Sequence, residues 1–432
     1  MSRPSPAVIR WTAMVVIAAV LAGASTPTFV RTWSGKKNPD DFAVVYSGAR
    51  AMWNRQDIYA ATDGMYIYSP FLAFIFQPLS LLPQRTASLV WIATSALIFL
   101  AAAFLAAAKV SETWCTKLLP RGPSAWYVVA AGALLLSFQK IRSDFTLGQT
   151  DCLIIIGLVA ALIWINRSPS IAGIIIGATA NVKYLALIFV PYFIIKGNYR
   201  AAISSIVSFA FFFAVPAAEV GFGFVKTCAI DSAAVIAKVA GSEAMSSSRT
   251  DKPIVNSITW NNSVSLTSAI LRQTRAHGVS DSVAATIILF LFALITASVV
   301  WVGALRDLKL FCPPSRSSLT DARPITIEWA VLIVLALVFG PQTTARHMIV
   351  LLLVFALALA LILTQKSASA RALLLAPMIA TALALSLPFR DSGTHPFLIT
   401  LKSAGAASWC AVALMFAIVF VGSRAISEMP DP

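Results

Sequence analysis

Residues 87–108 read ASLVWIATSALIFLAAAFLAAA, an apolar stretch without a single charged side chain. A helix of roughly 20 residues is about 30 Å long, the thickness of the hydrocarbon core of a bilayer. Inside that core every backbone N–H and C=O must be satisfied within the segment, which a helix does by itself. The run is therefore read as a transmembrane helix. Outward from it, comparable runs recur at 8–29, 124–139, 150–166, 199–217, 282–305, 326–340, 347–364, 372–388 and 399–422. The stretch 170–196 is apolar but interrupted by Asn181, Lys183 and Pro191, and reads as two short helices meeting near Lys183. The expectation is an all-α, polytopic membrane protein, one membrane domain over 1–432 with about twelve transmembrane helices.

Composition agrees. Of the 432 residues 58% are hydrophobic and 12% charged, and the mean hydropathy is +0.81. Soluble domains carry about 25% charged residues, so a water-soluble fold is excluded. The net charge of +15 falls in scattered loops, without a basic stripe interleaved with aromatics. It therefore speaks for topology and membrane lipids and against a nucleic-acid partner. Five cysteines at 115, 152, 228, 312 and 410 have no CxxC spacing, so neither a disulfide framework nor a metal site is expected. Arg3 and Arg10 before the first run resemble the start of a signal peptide. The run is too long for one and reads as an uncleaved first span.

With that end inside, the inner loops become 109–123, 167–169, 196–200, 306–325, 365–371 and the C-terminus. They hold Lys109, Lys117, Arg121, Arg167, Lys196, Arg200, Arg306, Lys309, Arg316, Arg323, Lys366, Arg371 and Arg424. The alternation of spans and loops closes without a conflict. The outer face receives the polar stretches: a first outer loop over 30–86, then 140–149, the 182–184 turn, the long loop 218–281, 341–346 and 389–397. Spans fill 87–217 and 282–432. Residues 67–83, bracketed by Pro70, Pro78 and Pro83, are too short to cross and are expected to be re-entrant or interfacial on the outer side.

In the first outer loop, NPDDFAVVYSGARAMW (38–53) places Phe42, Val45, Tyr46, Ala49 and Trp53 at helical spacing. An amphipathic helix on the membrane surface is expected, with Asn38 as N-cap and Pro39 in the first turn. Asp40 and Asp41 suit the positive end of that helix. Asp41 has a second reading, a general base that takes a proton from an attacking hydroxyl. Spacing alone leaves both open.

Three elements in order carry a resemblance: DFAVVYSGARAMW (41–53), DIYAA (57–61) and YIYSPFLAFIFQPLSLLP (66–83). They resemble glycosyltransferase family 87, of the GT-C superfamily, whose members include polyprenyl-phosphate-mannose-dependent mannosyltransferases. Ser69 stands where the family usually has a proline. Weaker echoes are GQTDCLIIIGL (148–158), with Asp151 for Asn, NVKYLALIFVPYFIIKGNYRA (181–201), with Tyr184 where Pro is common, NNSVSL (261–266) and PQTTARHMIVLL (341–352). The resemblance implies a GT-C helical bundle and an inverting, single-displacement transfer of a hexose, mannose by precedent. The donor would be a polyprenyl-phosphate sugar and the acceptor a hydroxyl of a lipid or glycan. It implies Asp41 as the base, with Asp40 the neighbour easily mistaken for it, and an active site on the extracytoplasmic side of the cell membrane.

A departing polyprenyl phosphate needs cations near it. Outer-face candidates are Lys140, Arg142, Lys183, Arg346 and His347. Lys183 in an apolar stretch is either functional or a lysine snorkelling to the interface. Arg346 and His347 follow a proline-bearing turn, and Arg346 alone would also serve as an interfacial anchor. Lys140, Arg142 and Asp144 read either as lining of the sugar pocket or as a salt-bridged connector, the connector being preferred. Gln149 and Asp151 open an apolar helix, as caps or as partners of sugar hydroxyls. Tyr46 and Tyr68 join the sugar-binding candidates, although interfacial tyrosines are common. Trp260, Asn261 and Asn262 mark the acceptor side, and His277 and His395 read as solvated. Three distant histidines and no DxD motif argue for no metal, and the absence of a Gly-rich phosphate loop for no nucleotide-sugar site and no cofactor. A lipid or solute transporter, or flippase, is the alternative class. It shares the many spans and the intramembrane charge, but not the paired acids of the first outer loop.

Overall fold

The computed structural model describes residues 5–115, 124–239, 258–313, 322–341, 343–387 and 395–427. Arg3, Lys117, Arg121, Arg316 and the middle of the 218–281 loop, all invoked above, lie outside them. So do Gln342, the end of the 372–388 run and most of 389–397.

The described residues are predominantly helical. Ser5, whose hydroxyl accepts from the Val8 N–H, and Pro6 at the first position start α1 (Pro6–Trp33). After it come α2 (Asp40–Trp53), α3 (Pro70–Ser80) and α4 (Gln84–Trp114). The middle of the chain holds α5 (Ser124–Leu136), α6 (Phe138–Leu147), α7 (Asp151–Trp164) and α8 (Pro169–Ala180). A short 3-10 turn, Tyr184–Ile188, leads into α9 (Phe189–Ile195), followed by α10 (Tyr199–Ala214), α11 (Ala217–Val220) and α12 (Phe222–Val239). The C-terminal part comprises α13 (Leu266–Ala276), α14 (Asp281–Ala304), α15 (Ala322–Phe339), α16 (Leu352–Thr364), α17 (Ala368–Leu385), α18 (Pro396–Ser403) and α19 (Ala406–Ser427).

The chain is thus an all-α polytopic membrane protein, but twelve spans are not reached. Among the described residues 8 helices are long and apolar enough to cross, or 9 if α5 and α6, bent by 62° at Ser137, form one broken span. The 150–166 run and both halves of 170–196 give shorter apolar helices instead, and 67–83, expected to be too short to cross, also holds a short one. The 170–196 break falls where expected: α8 stops at Asn181, and Lys183 is extended before the 3-10 turn. The 218–281 loop is helical at both described ends. The cap of α2 is Pro39, one residue later than expected, and no side chain caps it.

Hydrophobicity does not drive helices together in lipid, so close packing must. Gly173 and Gly177 let α8 press onto α10: a Cβ at Gly173 would lie 2.3 Å from the Ala201 carbonyl oxygen. α15, α16 and α19 form the buried centre, whereas α1, α14 and α17 are largely exposed at the periphery.

A charge is buried in that centre. Glu328 of α15 is fully buried. Its Oε1 accepts from Lys196 Nζ at 3.0 Å and from the Phe311 N–H at 2.6 Å, and its Oε2 from the Tyr192 hydroxyl at 2.8 Å. Removing one partner of such a pair strands the other, at a cost of about 3–5 kcal/mol. Glu328→Ala is expected to destabilise the purified protein by an amount in that range, read as a lower thermal midpoint. Glu328→Gln, which keeps the acceptor oxygen, is expected to cost less. Equal midpoints for wild type and Glu328→Ala would contradict this role.

Candidate active site

The first turn of α2 is held in place by aromatic packing. Phe42, Val45, Tyr46 and Ala49 are buried against protein. Phe42 stacks on Trp91 of α4 with ring centres 6.4 Å apart, and Phe76 of α3 meets Trp91 edge-on at 4.7 Å. Gly48 admits the Tyr66 ring, to which a Cβ would come within 2.7 Å.

Gly148 brings the second piece. It ends α6 at φ +70°, and a Cβ there would fall 2.5 Å from Phe42 Cβ. Only glycine meets both conditions without strain. The turn between α6 and α7 thereby lies against α2, and Gln149 Nε2 donates to Asp41 Oδ2.

Two further segments converge on this Gln149–Asp41 pair. Arg346 NH1 donates to Asp41 Oδ2 at 2.9 Å. Lys183 Nζ lies 2.5 Å from Asp151 Oδ1 and 3.4 Å from Gln149 Oε1. The Thr344 N–H donates to His347 Nδ1 at 3.3 Å, which leaves Nε2 to carry the proton of a neutral ring. That ring is within electrostatic reach of Lys183, Asp151 and Arg346. Burial, and after it the Asp41 and Asp151 carboxylates, push the Tyr68 phenol above the ordinary tyrosine range, so it remains an O–H donor. The result is a polar cluster drawn from α2, the Tyr68 loop, the α6–α7 turn, the break after α8 and the turn before α16.

Exposure separates the acids. The Asp41 side chain is 32% exposed and can be reached from outside, whereas Asp151 is 1% exposed and neutralised by Lys183. Asp40 points elsewhere: it is 59% exposed and pairs with Lys37 at 2.9 Å.

Of the candidates read from sequence, Asp41, Gln149, Asp151, Lys183, Arg346, His347 and Tyr68 come together. Tyr46 does not join them. It is buried, and its hydroxyl donates to the Leu82 carbonyl at 2.8 Å and accepts from Arg50. Asn262 is adjacent to the cluster: its neighbour Ser263 pairs with Thr344 in an isolated antiparallel bridge. Lys140, Arg142 and Asp144 are not a salt-bridged connector. Asp144 is buried, with neither carboxylate oxygen hydrogen-bonded among the described residues, and it feels Asp151, Lys183, Arg346 and Asp41. The sequence left its run between lining of the sugar pocket and a connector, the connector being preferred, and nothing in it singled out Asp144. Ser69 also has a part that proline could not play: its hydroxyl donates to the Asn181 carbonyl at 2.5 Å, tying the first outer loop to the Lys183 break. Among the described residues no group of three metal-binding side chains is assembled.

The profile of Glycosyltransferase family 87 matches residues 66–312. That range includes Tyr68, Gln149, Asp151, Lys183 and Asn262, and excludes Asp41, Tyr46, Arg346 and His347. The polyprenol-phosphate-mannose-dependent alpha-(1-2)-phosphatidylinositol mannoside mannosyltransferase of Mycobacterium tuberculosis (strain ATCC 25618 / H37Rv) is 26% identical over 186 residues. The aligned part is 39% of this chain and 43% of that protein. No solved structure gives a significant match. With more than half its length inside the family profile, the chain belongs to glycosyltransferase family 87.

Proposed function

We propose that this membrane glycosyltransferase moves a hexose, mannose by the precedent of its relative, from a polyprenyl-phosphate donor to a hydroxyl of a lipid or glycan acceptor. The observation that carries the reading is the accessible Asp41 carboxylate set directly against Arg346, with the Lys183–Asp151 pair one residue away across Gln149. A base and cations thus meet where an acceptor hydroxyl and a lipid phosphate can meet.

The step balances as a single displacement. The acceptor oxygen bonds to the anomeric carbon as the bond from that carbon to the phosphate oxygen breaks, and the configuration inverts. The hydroxyl proton passes to Asp41. The donor phosphodiester, with one negative charge, leaves as a phosphate monoester with two. At that moment Asp41 becomes neutral and Arg346 loses its counter-charge, so the guanidinium is released toward the new dianion. Lys183 adds a second charge, and His347 an N–H donor from Nε2. Tyr68, Gln149, Asp151 and Asn262 are the groups for sugar and acceptor hydroxyls.

The order of the expected inner and outer loops is the basis for an extracytoplasmic site. Lys109, Arg167, Lys196, Lys309, Lys366 and Arg424 belong to the expected inner loops, and the Asp41 cluster to the other set. In a Cys312→Ser background, Met65→Cys is expected to react with a membrane-impermeant maleimide on intact cells. Lys366→Cys is expected to react only after permeabilisation. The reverse pattern would place the site inside.

The function itself is tested with purified protein in nanodiscs, given short-chain polyprenyl-phosphate mannose or glucose and a membrane-lipid extract. A new glycosylated lipid from the mannose donor is expected. Product from glucose alone would change the sugar, and product from neither would remove the donor class.

A further inference from the structure

A cavity of about 710 Å³ lies at the end of the bundle away from the Asp41 cluster. Pro169, Pro324 and Ile325 are in its wall, in the first turns of α8 and α15. α8 ends at Ala180, just before Lys183, and α15 ends at Phe339, just before the turn that carries Arg346. With 18 residues α15 is about 27 Å long, close to the thickness of the hydrocarbon core. The two places therefore belong to opposite leaflets. We propose that this cavity binds the head group of a zwitterionic aminophospholipid, one that carries a phosphate and a primary ammonium group. The site is separate from the transfer reaction and takes no part in it.

The loop after α14 supplies the charges. In Asp307-Leu308-Lys309-Leu310 the two leucines are buried and the two charged residues exposed. The leucines pin the loop, and Asp307 and Lys309 are left in the cavity lining. Asp307 turns the chain at φ +57°, a left-handed conformation in which Asp is enriched. Neither charged side chain has a hydrogen bond or ion pair among the described residues. A cation and an anion thus line one cavity without neutralising each other. Tyr192 and Lys196 lie deeper, both bonded to the buried Glu328. Glu328 cancels the charge of Lys196, whose remaining N–H groups are still donors. Taken together the cavity has no excess of either sign, which suits a zwitterion better than an anion. A lipid phosphate accepts from Lys196 and Lys309, and the lipid ammonium donates to Asp307.

The border of the cavity identifies a lipid and not a water-soluble zwitterion. Phe193, Leu308, Ile325 and Ile426 give it apolar walls. Ile194 and Ile195, next to Lys196, and Leu305, two residues before Asp307, are all exposed. At a membrane boundary such side chains meet acyl chains, so the rim runs on into lipid-facing surface. The volume accommodates a head group together with the start of its chains.

Cys312 provides a reporter for the test, because it lines the cavity and is exposed, whereas Cys115, Cys152 and Cys228 are buried. Full-length protein carrying Cys410→Ala is labelled with an uncharged maleimide in phosphatidylcholine nanodiscs. Replacing part of the lipid with phosphatidylethanolamine is expected to slow labelling of Cys312 about threefold or more. The same amount of phosphatidylglycerol is expected to leave the rate near that in phosphatidylcholine. Asp307→Asn and Lys309→Met, both at exposed positions, are expected to remove the protection without changing the thermal midpoint. Equal rates in the three lipids would overturn the site. Stronger protection by phosphatidylglycerol would make it an anion site and overturn the aminophospholipid. Protection by phosphatidylethanolamine that survives both substitutions together would place the lipid elsewhere. None of these readouts requires sugar transfer, so they stand apart from any failure of the Asp41 reading.

Discussion

Asp41→Asn is expected to lower turnover by about 10²–10⁴-fold, the contribution of a positioned general base. The amide keeps the volume of the side chain and can still bond Gln149 and the Arg346 region, but it cannot take the acceptor proton. The thermal midpoint should therefore change little while sugar transfer collapses. Asp40→Asn is the control. Asp40 is largely exposed and pairs only with Lys37 in the described structure, so its substitution should leave turnover within about twofold, as for an exposed pair worth less than about 1 kcal/mol. A large loss in Asp40→Asn with none in Asp41→Asn would exchange their roles.

Lys183→Met is expected to have two separable effects. It leaves Asp151, 1% exposed, as an uncompensated buried charge, which destabilises by about 3–5 kcal/mol. It also removes a cation from the departing phosphate, which lowers turnover by about 10²–10³-fold. The double variant Lys183→Met with Asp151→Asn removes both charges. Its stability should return most of the way to wild type, because both ionic groups are gone together. Turnover should stay low, since nothing replaces the ammonium group. If turnover recovered along with stability, Lys183 would act only as the partner of Asp151.

The sequence made parts of this arrangement legible, and the reasons differ by element. Apolar runs such as 87–108 announce spans because length and hydropathy are local properties. They misled at 150–166 and 170–196, where short apolar helices are covered by protein and need not cross alone. The 124–139 run hides a bend, because α6 continues as a helix with Lys140, Arg142 and Asp144 on it. For α2 the period of Phe42, Val45 and Ala49 showed an apolar face. It could not show that α3 and α4 cover much of that face. The chemistry-bearing types were visible one at a time. Their meeting was not, since Asp41, Gln149, Lys183 and Arg346 come from four separated segments. Gly148 decides the meeting by letting one turn lie against another, and a glycine in a polar stretch carries no sign of its neighbour. Asp144 escaped because alternation with lysine and arginine reads as ion pairing. On the helix Arg142, two positions before Asp144, faces away from it, and Lys140, a neighbour at i−4, forms no hydrogen bond with it among the described residues.

The central claim is that a sugar leaves a lipid phosphate at the Asp41 cluster. Single-turnover measurement with excess enzyme and labelled polyprenyl-phosphate mannose, run for wild type and Asp41→Asn side by side, tests it most directly. The account predicts that wild type forms glycosylated acceptor and free polyprenyl phosphate in equal amounts, while Asp41→Asn retains intact donor. Intact donor carried across sealed vesicles by wild type, with no polyprenyl phosphate released, would contradict the account and identify a transporter.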